Sequence, residues 1–267
     1  MLISISDTRR VNLVRTGPRG GIPVVLVHPV GLDLTYWSSQ IDALCDVHDV
    51  IAFDLPGHGL SPGTPEDWTL DKAAAVLAQV IRWSNASSAH VVGFSVGGMI
   101  AQALILAYPE LAHSLTLIDT AASFPDAGRA AARKRAVDAR QGGMMAVAEP
   151  TIERWFTEQT KVRRPDLIDR VTKTLLNDDP LIYAAMWDML ADLDLVANLE
   201  HIVCPTLILV GEHDPSAPLV AAELMQKRIA GSQLQVIADA SHMAPLEKPA
   251  VINTRIKTFL AQHTFQE

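Results

Sequence analysis

Residues 89–107, AHVVGFSVGGMIAQALILA, change from one pattern to another around a single serine. The first part is a β-branched apolar run that predicts a buried strand, and the last part has the apolar spacing of a helix. Only GFSVGG, residues 93–98, lies between them, so the chain must turn sharply there. Ser95 would project from a strained strand-to-helix turn, with Gly93 and Gly97 small enough to leave room around it. The junction predicts alternating strands and helices, and it places a candidate nucleophile between two of them.

Apolar runs of the same kind recur along the chain and predict strands buried on both faces, as in a parallel sheet covered by helices. They lie at residues 24–28, 49–54, 89–94, 114–119, 205–212 and 234–239. Helical spacing between these runs predicts repeated strand–helix units. Near the start, ISIS (3–6) and VNLV (11–14) predict an antiparallel hairpin. The predicted fold class is therefore α/β, with a mostly parallel, helix-flanked sheet.

The alternation of strands and helices stops at residues 124–195. This segment has helical spacing and no convincing strand pattern. A helical segment between two strands of one sheet predicts a cap inserted after the sixth strand. We therefore expect a core domain formed by residues 1–123 and 196–267, and a helical cap formed by residues 124–195.

Composition and charge narrow the functional classes. The chain has 267 residues, 49% of them hydrophobic, which is enough for a sizeable core. Its formal net charge of -8 argues against nucleic acid as a partner, because phosphates would repel it. It has no apolar run of the roughly 18 to 20 residues that a membrane span needs, and its start lacks the apolar core of a signal peptide. We expect a cytoplasmic protein that binds neither nucleic acid nor membrane, and the sequence leaves open whether it forms a homodimer.

The two cysteines, Cys45 and Cys204, are far apart and have no CxxC spacing or histidine-rich neighbourhood. We expect neither a disulfide nor a metal site from them, since both are uncommon without such signals in an intracellular chain. The pattern favours two ordinary buried side chains.

A serine hydroxyl becomes a nucleophile only when a base and an orienting acid accompany it. Of the nine histidines, His242 follows the last predicted strand, at the carboxyl edge where ligands collect in open α/β sheets. Asp214 follows another strand and precedes a proline that stops the strand from continuing. Asp119 occupies the equivalent place on a third strand and remains an alternative acid. The order Ser95, Asp214, His242 is the one expected when the serine stands on a strand–turn–helix elbow.

An oxyanion formed by attack on a carbonyl needs two backbone N–H donors. One is the N–H of Val96, at the start of the helix that follows Ser95. The stretch LVHPVGLD, residues 26–33, ends an early strand, and Val30 there can donate whereas Pro29 cannot. We predict an oxyanion hole formed by Val30 and Val96, although HPVG is also compatible with a simple turn.

With these residues placed, the sequence resembles the α/β-hydrolase fold superfamily over essentially its whole length. The motifs that carry the resemblance are, in chain order, VHPVG, DLPGHGLS, GFSVGG, GEHDP and ASHMAPLE. Within the superfamily it is most similar to 3-oxoadipate enol-lactonases, through GLDLTYWSSQIDAL, IDTAA, GGMMAVAEPTIERWFTE and ASHMAPLEKP. It departs from them in HPVG and GFSVGG, where asparagine-serine-leucine-glycine and GLSMGG are more usual. The resemblance implies a serine hydrolase that cleaves a small lactone or ester.

The first part of the predicted cap carries an excess of positive charge. Residues 125–175 contain 11 Lys and Arg against 7 Asp and Glu, whereas the whole chain has a net charge of -8. A basic cap can steer a substrate that bears a carboxylate, although most such side chains simply lie on solvated helix faces. Trp155, Phe156 and Trp187 are candidates for lining a substrate pocket, with packing of cap on core as the alternative.

The predicted reaction is acyl transfer to water. His242 would take the proton of Ser95 while Asp214 orients the imidazole, and the N–H groups of Val30 and Val96 would bind the oxyanion. This mechanism requires no metal or organic cofactor, and its partner is a small ester or lactone such as 3-oxoadipate enol-lactone. The same triad also serves carbon–carbon bond hydrolases of ring-cleavage dienoates, cofactor-free perhydrolases and general carboxylesterases. A ligand receptor on a hydrolase scaffold is a further alternative.

Overall fold

The computed structural model describes residues 1–263 and has an eight-stranded sheet at its centre. The strands are β1 (Leu2–Ser4), β2 (Arg10–Thr16), β3 (Val24–Val27), β4 (Val50–Phe53), β5 (Ala89–Phe94), β6 (Ala112–Ile118), β7 (Thr206–Gly211) and β8 (Gln233–Ile237). Their spatial order is β1-β2-β4-β3-β5-β6-β7-β8. β2 pairs antiparallel with β1 and β4, and all other neighbouring strands are parallel. The predicted hairpin and the mostly parallel sheet are both confirmed.

Eleven α-helices surround this sheet in the described part of the chain. They are α1 (Ser38–Leu44), α2 (Leu70–Trp83), α3 (Val96–Ala107), α4 (Asp126–Gly142), α5 (Met145–Trp155), α6 (Glu158–Arg163), α7 (Pro165–Asn177), α8 (Pro180–Ala191), α9 (Leu219–Arg228), α10 (Ala244–Glu247) and α11 (Pro249–Gln262). Several begin at side chains that cap the first turn, as Thr69 does for α2 and Asp179 for α8. Such caps satisfy N–H groups that have no partner within the helix.

The central strands are buried at every position, as their unbroken apolar runs predict. This holds for β3, β4, β5 and β7. β8 is different, because Gln233 and Val236 are exposed and Leu234 is only half-buried. β8 lies at the edge of the sheet with a single neighbour, β7. The expectation that residues 234–239 are buried on both faces is therefore wrong, since an edge strand is covered less completely than a central one.

The helix that follows β5 is the most deeply buried part of the helical layer. α3 is buried continuously from Val96 to Ile105 and packs against α2 and β5. Because one residue, Ser95, separates β5 from α3, the sheet and the buried helix together fix the position of that serine.

The five helices α4 to α8 lie between β6 and β7, as predicted for the insertion. The chain leaves and re-enters the sheet region at one place, where Ser123 and Asp194 form an antiparallel bridge. Next to this bridge the N–H of Leu195 donates to the carbonyl of Ala122 at 2.8 Å. The insertion is therefore connected to the core through two adjacent strand-like segments. The division into core and cap domains at these points remains our prediction.

Two smaller expectations can be compared with the described residues. Within residues 1–263, no helix combines the length and the apolar character that a membrane span requires. Cys45 and Cys204 are both free. The sequence favours buried side chains for them, whereas the structure shows both half-buried.

Candidate active site

Ser95 occupies the turn between β5 and α3 in a strained backbone conformation. Its φ is 53° and its ψ is -119°, a combination that costs on the order of 1–3 kcal/mol for a residue other than glycine. The N–H of Ser95 donates to the carbonyl of Ile118 at 2.9 Å, and the Thr120 hydroxyl donates to the Ser95 carbonyl at 2.7 Å. These bonds tie both sides of the turn to the end of β6 and the loop after it, so the conformation is held by its surroundings.

The glycines on either side of Ser95 allow close approaches of the backbone. A Cβ on Gly93 would lie 2.4 Å from the carbonyl oxygen of Gly97, and a Cβ on Gly97 would lie 2.1 Å from the carbonyl oxygen of Val27. Both positions must therefore lack a side chain, as the sequence predicts. For Gly97 the obstacle is the neighbouring strand β3, so this glycine lets α3 begin directly against the sheet.

The structure brings Ser95, His242 and Asp214 together in one hydrogen-bonded chain. Ser95 Oγ lies 3.0 Å from His242 Nε2, and His242 Nδ1 lies 2.8 Å from Asp214 Oδ2. Ser95 follows β5, Asp214 follows β7 and His242 follows β8, so the three side chains meet at the carboxyl edge of the parallel strands. All three are buried, with 6%, 3% and 5% of Ser95, His242 and Asp214 exposed. This arrangement has the geometry of a nucleophile, a base and an orienting acid.

The Asp214 carboxyl is held in its charged form. Burial raises its pKa, but the charge and hydrogen bond of His242 and two backbone N–H donors outweigh burial, so the pKa lies below its ordinary value. The donors are Ser216 at 2.7 Å and Ala217 at 3.0 Å, both to Oδ1. Since Oδ1 is fixed by the backbone, Oδ2 is left aimed at His242.

The alternative acid, Asp119, makes no hydrogen bond to His242. It accepts hydrogen bonds from the backbone N–H groups of Gly211 at 2.7 Å and Ala244 at 3.2 Å. Burial and the nearby charge of Asp214 raise its pKa well above the ordinary value of an aspartate. Asp214, and not Asp119, is therefore the acid that the structure places against the histidine.

One predicted oxyanion donor, Val96, follows Ser95 in the chain, and the other, Val30, belongs to the loop after β3. Val96 is the first residue of α3, where backbone N–H groups have no partner within the helix and the helix dipole favours negative charge. Val30 lines the same pocket as Ser95. In the described part of the chain, neither backbone N–H donates to a protein acceptor. Both donors are thus free for a ligand, and their role as an oxyanion hole is a proposal.

A cavity of about 670 Å³ opens next to Ser95 and His242 and is lined mainly by apolar side chains. Its walls come from the ends of the strands and from α4, α5, α8 and α9. Trp155 and Trp187 line it, and the Trp155 ring lies 6.3 Å from that of His242. Phe156 is buried but is not among the lining residues. Of the three aromatic candidates, the structure therefore brings two to the cavity.

Two arginines in the cavity wall form no ion pair with an acidic side chain within residues 1–263. Arg135 on α4 stacks over the ring of Trp187 at 4.6 Å and makes no hydrogen bond or ion pair within residues 1–263. Arg154 on α5 donates to the Ser216 hydroxyl at 3.2 Å, whereas its Nη2 is buried without a partner. Burial lowers the pKa of both guanidinium groups, and the charge of Arg135 helps to lower that of Arg154 to about 10. Sequence reasoning found the basic excess of this region but not these two residues.

A possible metal-ligand group lies elsewhere on the surface. Glu212, His213 and Asp239 place their ligand atoms within 4.8 Å of one another. All three are exposed, and none lines the cavity beside Ser95. The sequence assigns no metal to them, and the candidate reaction does not use them.

Known proteins resemble this chain in sequence and in fold. Residues 24–255 match the alpha/beta hydrolase family. The chain is 26% identical to 3-oxoadipate enol-lactonase 2 of Acinetobacter baylyi over 89% of its own length and 88% of the relative's. It is 31% identical to a thermophilic esterase from Thermogutta terrifontis, solved with malate bound, with a TM-score of 0.91 and 99% of each chain covered. It is 27% identical to the enol-lactonase of Burkholderia xenovorans, with a TM-score of 0.90 and coverage of 97% of this chain and 99% of that one.

The family match spans most of the chain, and the fold and the similarity to enol-lactonases predicted from the sequence are confirmed. The protein therefore belongs to the alpha/beta hydrolase family and is a hydrolase.

Proposed function

We propose that the protein hydrolyses a carboxylic ester or lactone through an acyl-enzyme formed on Ser95. The observation that carries this proposal is the hydrogen-bonded chain from Ser95 through His242 to Asp214, at 3.0 and 2.8 Å, at the wall of a cavity. A serine, an imidazole and an ionised carboxylate in this order make a nucleophile at neutral pH, because each group increases the basicity of the next.

The reaction proceeds in two steps at this site. His242 accepts the proton of Ser95 as Oγ attacks the carbonyl carbon, and the N–H groups of Val30 and Val96 stabilise the oxyanion. The protonated His242 then donates to the leaving oxygen, which in a lactone stays attached to the acyl group. Water attacks the acyl-enzyme with His242 as base, and the acid is released. Loss of either oxyanion donor would cost on the order of 3 kcal/mol of barrier.

The cavity favours a substrate that carries a carboxylate away from the reacting carbonyl. Arg135 and Arg154 place two positive charges in a mostly apolar wall, and among the described residues neither forms an ion pair with an acidic side chain. An unpaired charge that is partly buried is unfavourable, so an anionic ligand would gain both the hydrogen bonds and the relief of that penalty. Trp155 and Trp187 supply apolar contacts for the rest of the substrate.

The relatives support the same class of substrate. One relative is named a 3-oxoadipate enol-lactonase, and the solved structure of another, an esterase, has malate bound. Both names involve compounds that bear carboxylates. We therefore propose an anionic lactone or ester as the substrate, such as 3-oxoadipate enol-lactone, and we propose that residues 124–195 act as the cap that recognises it.

A matched pair of substrates tests this proposal. Mono-4-nitrophenyl glutarate and its methyl ester share the scissile bond and differ in the distal carboxylate. We expect a higher kcat/KM for the anionic compound, and we expect Arg154→Met to lower that value by on the order of tenfold to a hundredfold, as loss of a charge-assisted hydrogen bond would. The neutral ester should be affected little. Arg135→Met should act in the same direction.

The controls separate the substrate from the mechanism. Arg133→Met removes a charge from the same helix, α4, at an exposed position paired with Asp192, and it should leave both substrates unchanged. A wild-type preference for the neutral ester by orders of magnitude would refute the anionic substrate but not the hydrolase. Full activity in Ser95→Ala would refute the triad. A dienoate and 3-oxoadipate enol-lactone in the same panel distinguish carbon–carbon bond cleavage from lactone cleavage.

A further inference from the structure

A fourth polar side chain joins the two loops that carry the acid and the base. Asp119 accepts the N–H of Gly211 with Oδ1 at 2.7 Å and the N–H of Ala244 with Oδ2 at 3.2 Å. Gly211 ends β7 three residues before Asp214, and Ala244 begins α10 two residues after His242. One carboxyl group therefore links the backbones of both loops, using one oxygen for each.

This link is deeply buried and strained. Asp119 is 0% exposed, and its φ of 46° lies in the left-handed region, which is uncommon for a residue other than glycine. Its own N–H donates to the carbonyl of Leu209 at 2.9 Å, which continues the pairing of β6 with β7. Such strain persists only where the surroundings determine the conformation, and it is frequent at functional sites.

The charges around Asp119 disfavour its ionised form. The charged side chains that act on it are Asp214, from the loop after β7, and Glu247, from α10, and both are acidic. Burial is the largest cause of its raised pKa, and these two charges raise the pKa further against the two N–H donors.

We propose that Asp119 is a positioning residue that sets the separation of Asp214 and His242 through the backbones of Gly211 and Ala244. This inference rests on the proposed function, because it assigns a role relative to the triad. Asp119 does not line the substrate cavity. Its loss should therefore affect the chemical step more than substrate binding.

Substitution of Asp119 tests the proposal through kcat and the pH profile. Asp119→Ala removes both acceptors, and we expect kcat to fall on the order of tenfold to a hundredfold with KM nearly unchanged, as for a small misplacement of catalytic groups. Asp119→Asn keeps the volume and one acceptor and should give an intermediate loss. A looser Asp214 stabilises protonated His242 less, so the acid limb of kcat/KM should move to lower pH in both variants.

Counting active sites in each variant distinguishes a positioning role of Asp119 from a role in folding alone. A fluorophosphonate that labels Ser95 counts active sites, so that kcat is expressed per functional enzyme. Asp54→Ala is the matched control, because Asp54 is also buried and accepts the N–H groups of Leu34 and Leu60, in loops that carry neither Asp214 nor His242. It should lower stability and leave the acid limb in place.

The outcomes are distinct for each claim. Wild-type kcat per labelled site and an unmoved pH profile in Asp119→Ala would overturn the positioning role. Lower activity explained entirely by fewer labelled sites would overturn it as well. If Asp119→Ala does not fold, Asp119→Asn decides by the same two criteria. Activity that survives in Ser95→Ala would instead overturn the proposed function.

Discussion

At Gly97, the absence of a Cβ allows α3 to begin against the sheet, directly after Ser95. The carbonyl oxygen of Val27 would lie 2.1 Å from a Cβ at this position, which is far inside van der Waals contact. Because the obstructing atom belongs to the backbone of β3, it cannot move aside as a flexible side chain would. The start of α3, and with it Ser95, would have to shift away from the sheet.

We therefore expect Gly97→Ala to lower the free energy of unfolding by about 1–3 kcal/mol, as overpacking typically does, and to reduce kcat strongly. Urea unfolding and labelling of Ser95 measure the two effects. Gly21→Ala is the control, since a Cβ there meets nothing within 4 Å. Equal stability of the two variants would show that the elbow tolerates a side chain.

Single residues differ in how far the sequence predicts them. Ser95, Asp214 and His242 could be predicted from the sequence because each follows a strand, and the carboxyl ends of parallel strands share one edge of the sheet. Arg135 and Arg154 were not, because they belong to a group of 11 basic residues in one helical segment. Which of these face a cavity depends on how the inserted helices pack, and helical spacing alone does not determine that.

At the scale of elements, side chains of the inserted helix α7 bind the segment that follows β3. The Tyr36 hydroxyl lies 2.7 Å from the Thr174 hydroxyl, and Arg170 stacks over the Tyr36 ring at 4.3 Å. A Cβ at Gly31, next to the proposed oxyanion donor Val30, would lie 2.5 Å from Leu175 on the same helix. The position of α7 and the path of this loop are thus determined together.

A double-mutant cycle with Tyr36→Phe and Thr174→Val measures the coupling free energy between the two hydroxyl groups. We expect a coupling on the order of 0.5–1.5 kcal/mol in the free energy of unfolding, the usual contribution of one hydrogen bond. When either side chain is changed, the rate of backbone amide hydrogen exchange should increase more in α7 than in β5. Additive single effects would show that the two hydroxyls do not interact.

The place of the insertion could be predicted because residues 124–195 lack any strand pattern. The exposure of β8 could not, because an apolar run such as LQVI is compatible with both a central and an edge strand. Strand order decides between them, and it depends on contacts between residues far apart in the chain.

At the scale of the whole fold, residues 1–263 contain three buried histidines whose pKa is strongly lowered, so they are neutral at neutral pH. Burial lowers the pKa of His28 to about 4, and of His58 and His90 to about 3, and neighbouring histidines contribute for the latter two. The unfolded chain binds these protons at about pH 6.5. The stability that these histidines maintain is therefore complete above that pH and is lost as the pH falls below it, because protons then favour the unfolded state.

A comparison of wild type with His90→Gln isolates this effect from the buried carboxyls, whose raised pKa values act in the opposite direction. Between pH 7 and pH 5, wild type should lose about 2 kcal/mol more stability than the variant. Urea unfolding at the two pH values gives the difference. His201→Gln, at an exposed position, should follow wild type. Identical pH dependence in wild type and His90→Gln would show that His90 is not buried in neutral form.

The walls of the cavity have two origins in the chain. Ser95 and His242 lie on loops at the ends of sheet strands, whereas Arg135 and Arg154 lie on the inserted helices α4 and α5. A lineage that inherits this sheet can accumulate substitutions in those two helices while its reaction chemistry is passed on intact. New substrates can then be reached through changes in the insertion, while the sheet and its loops stay the same.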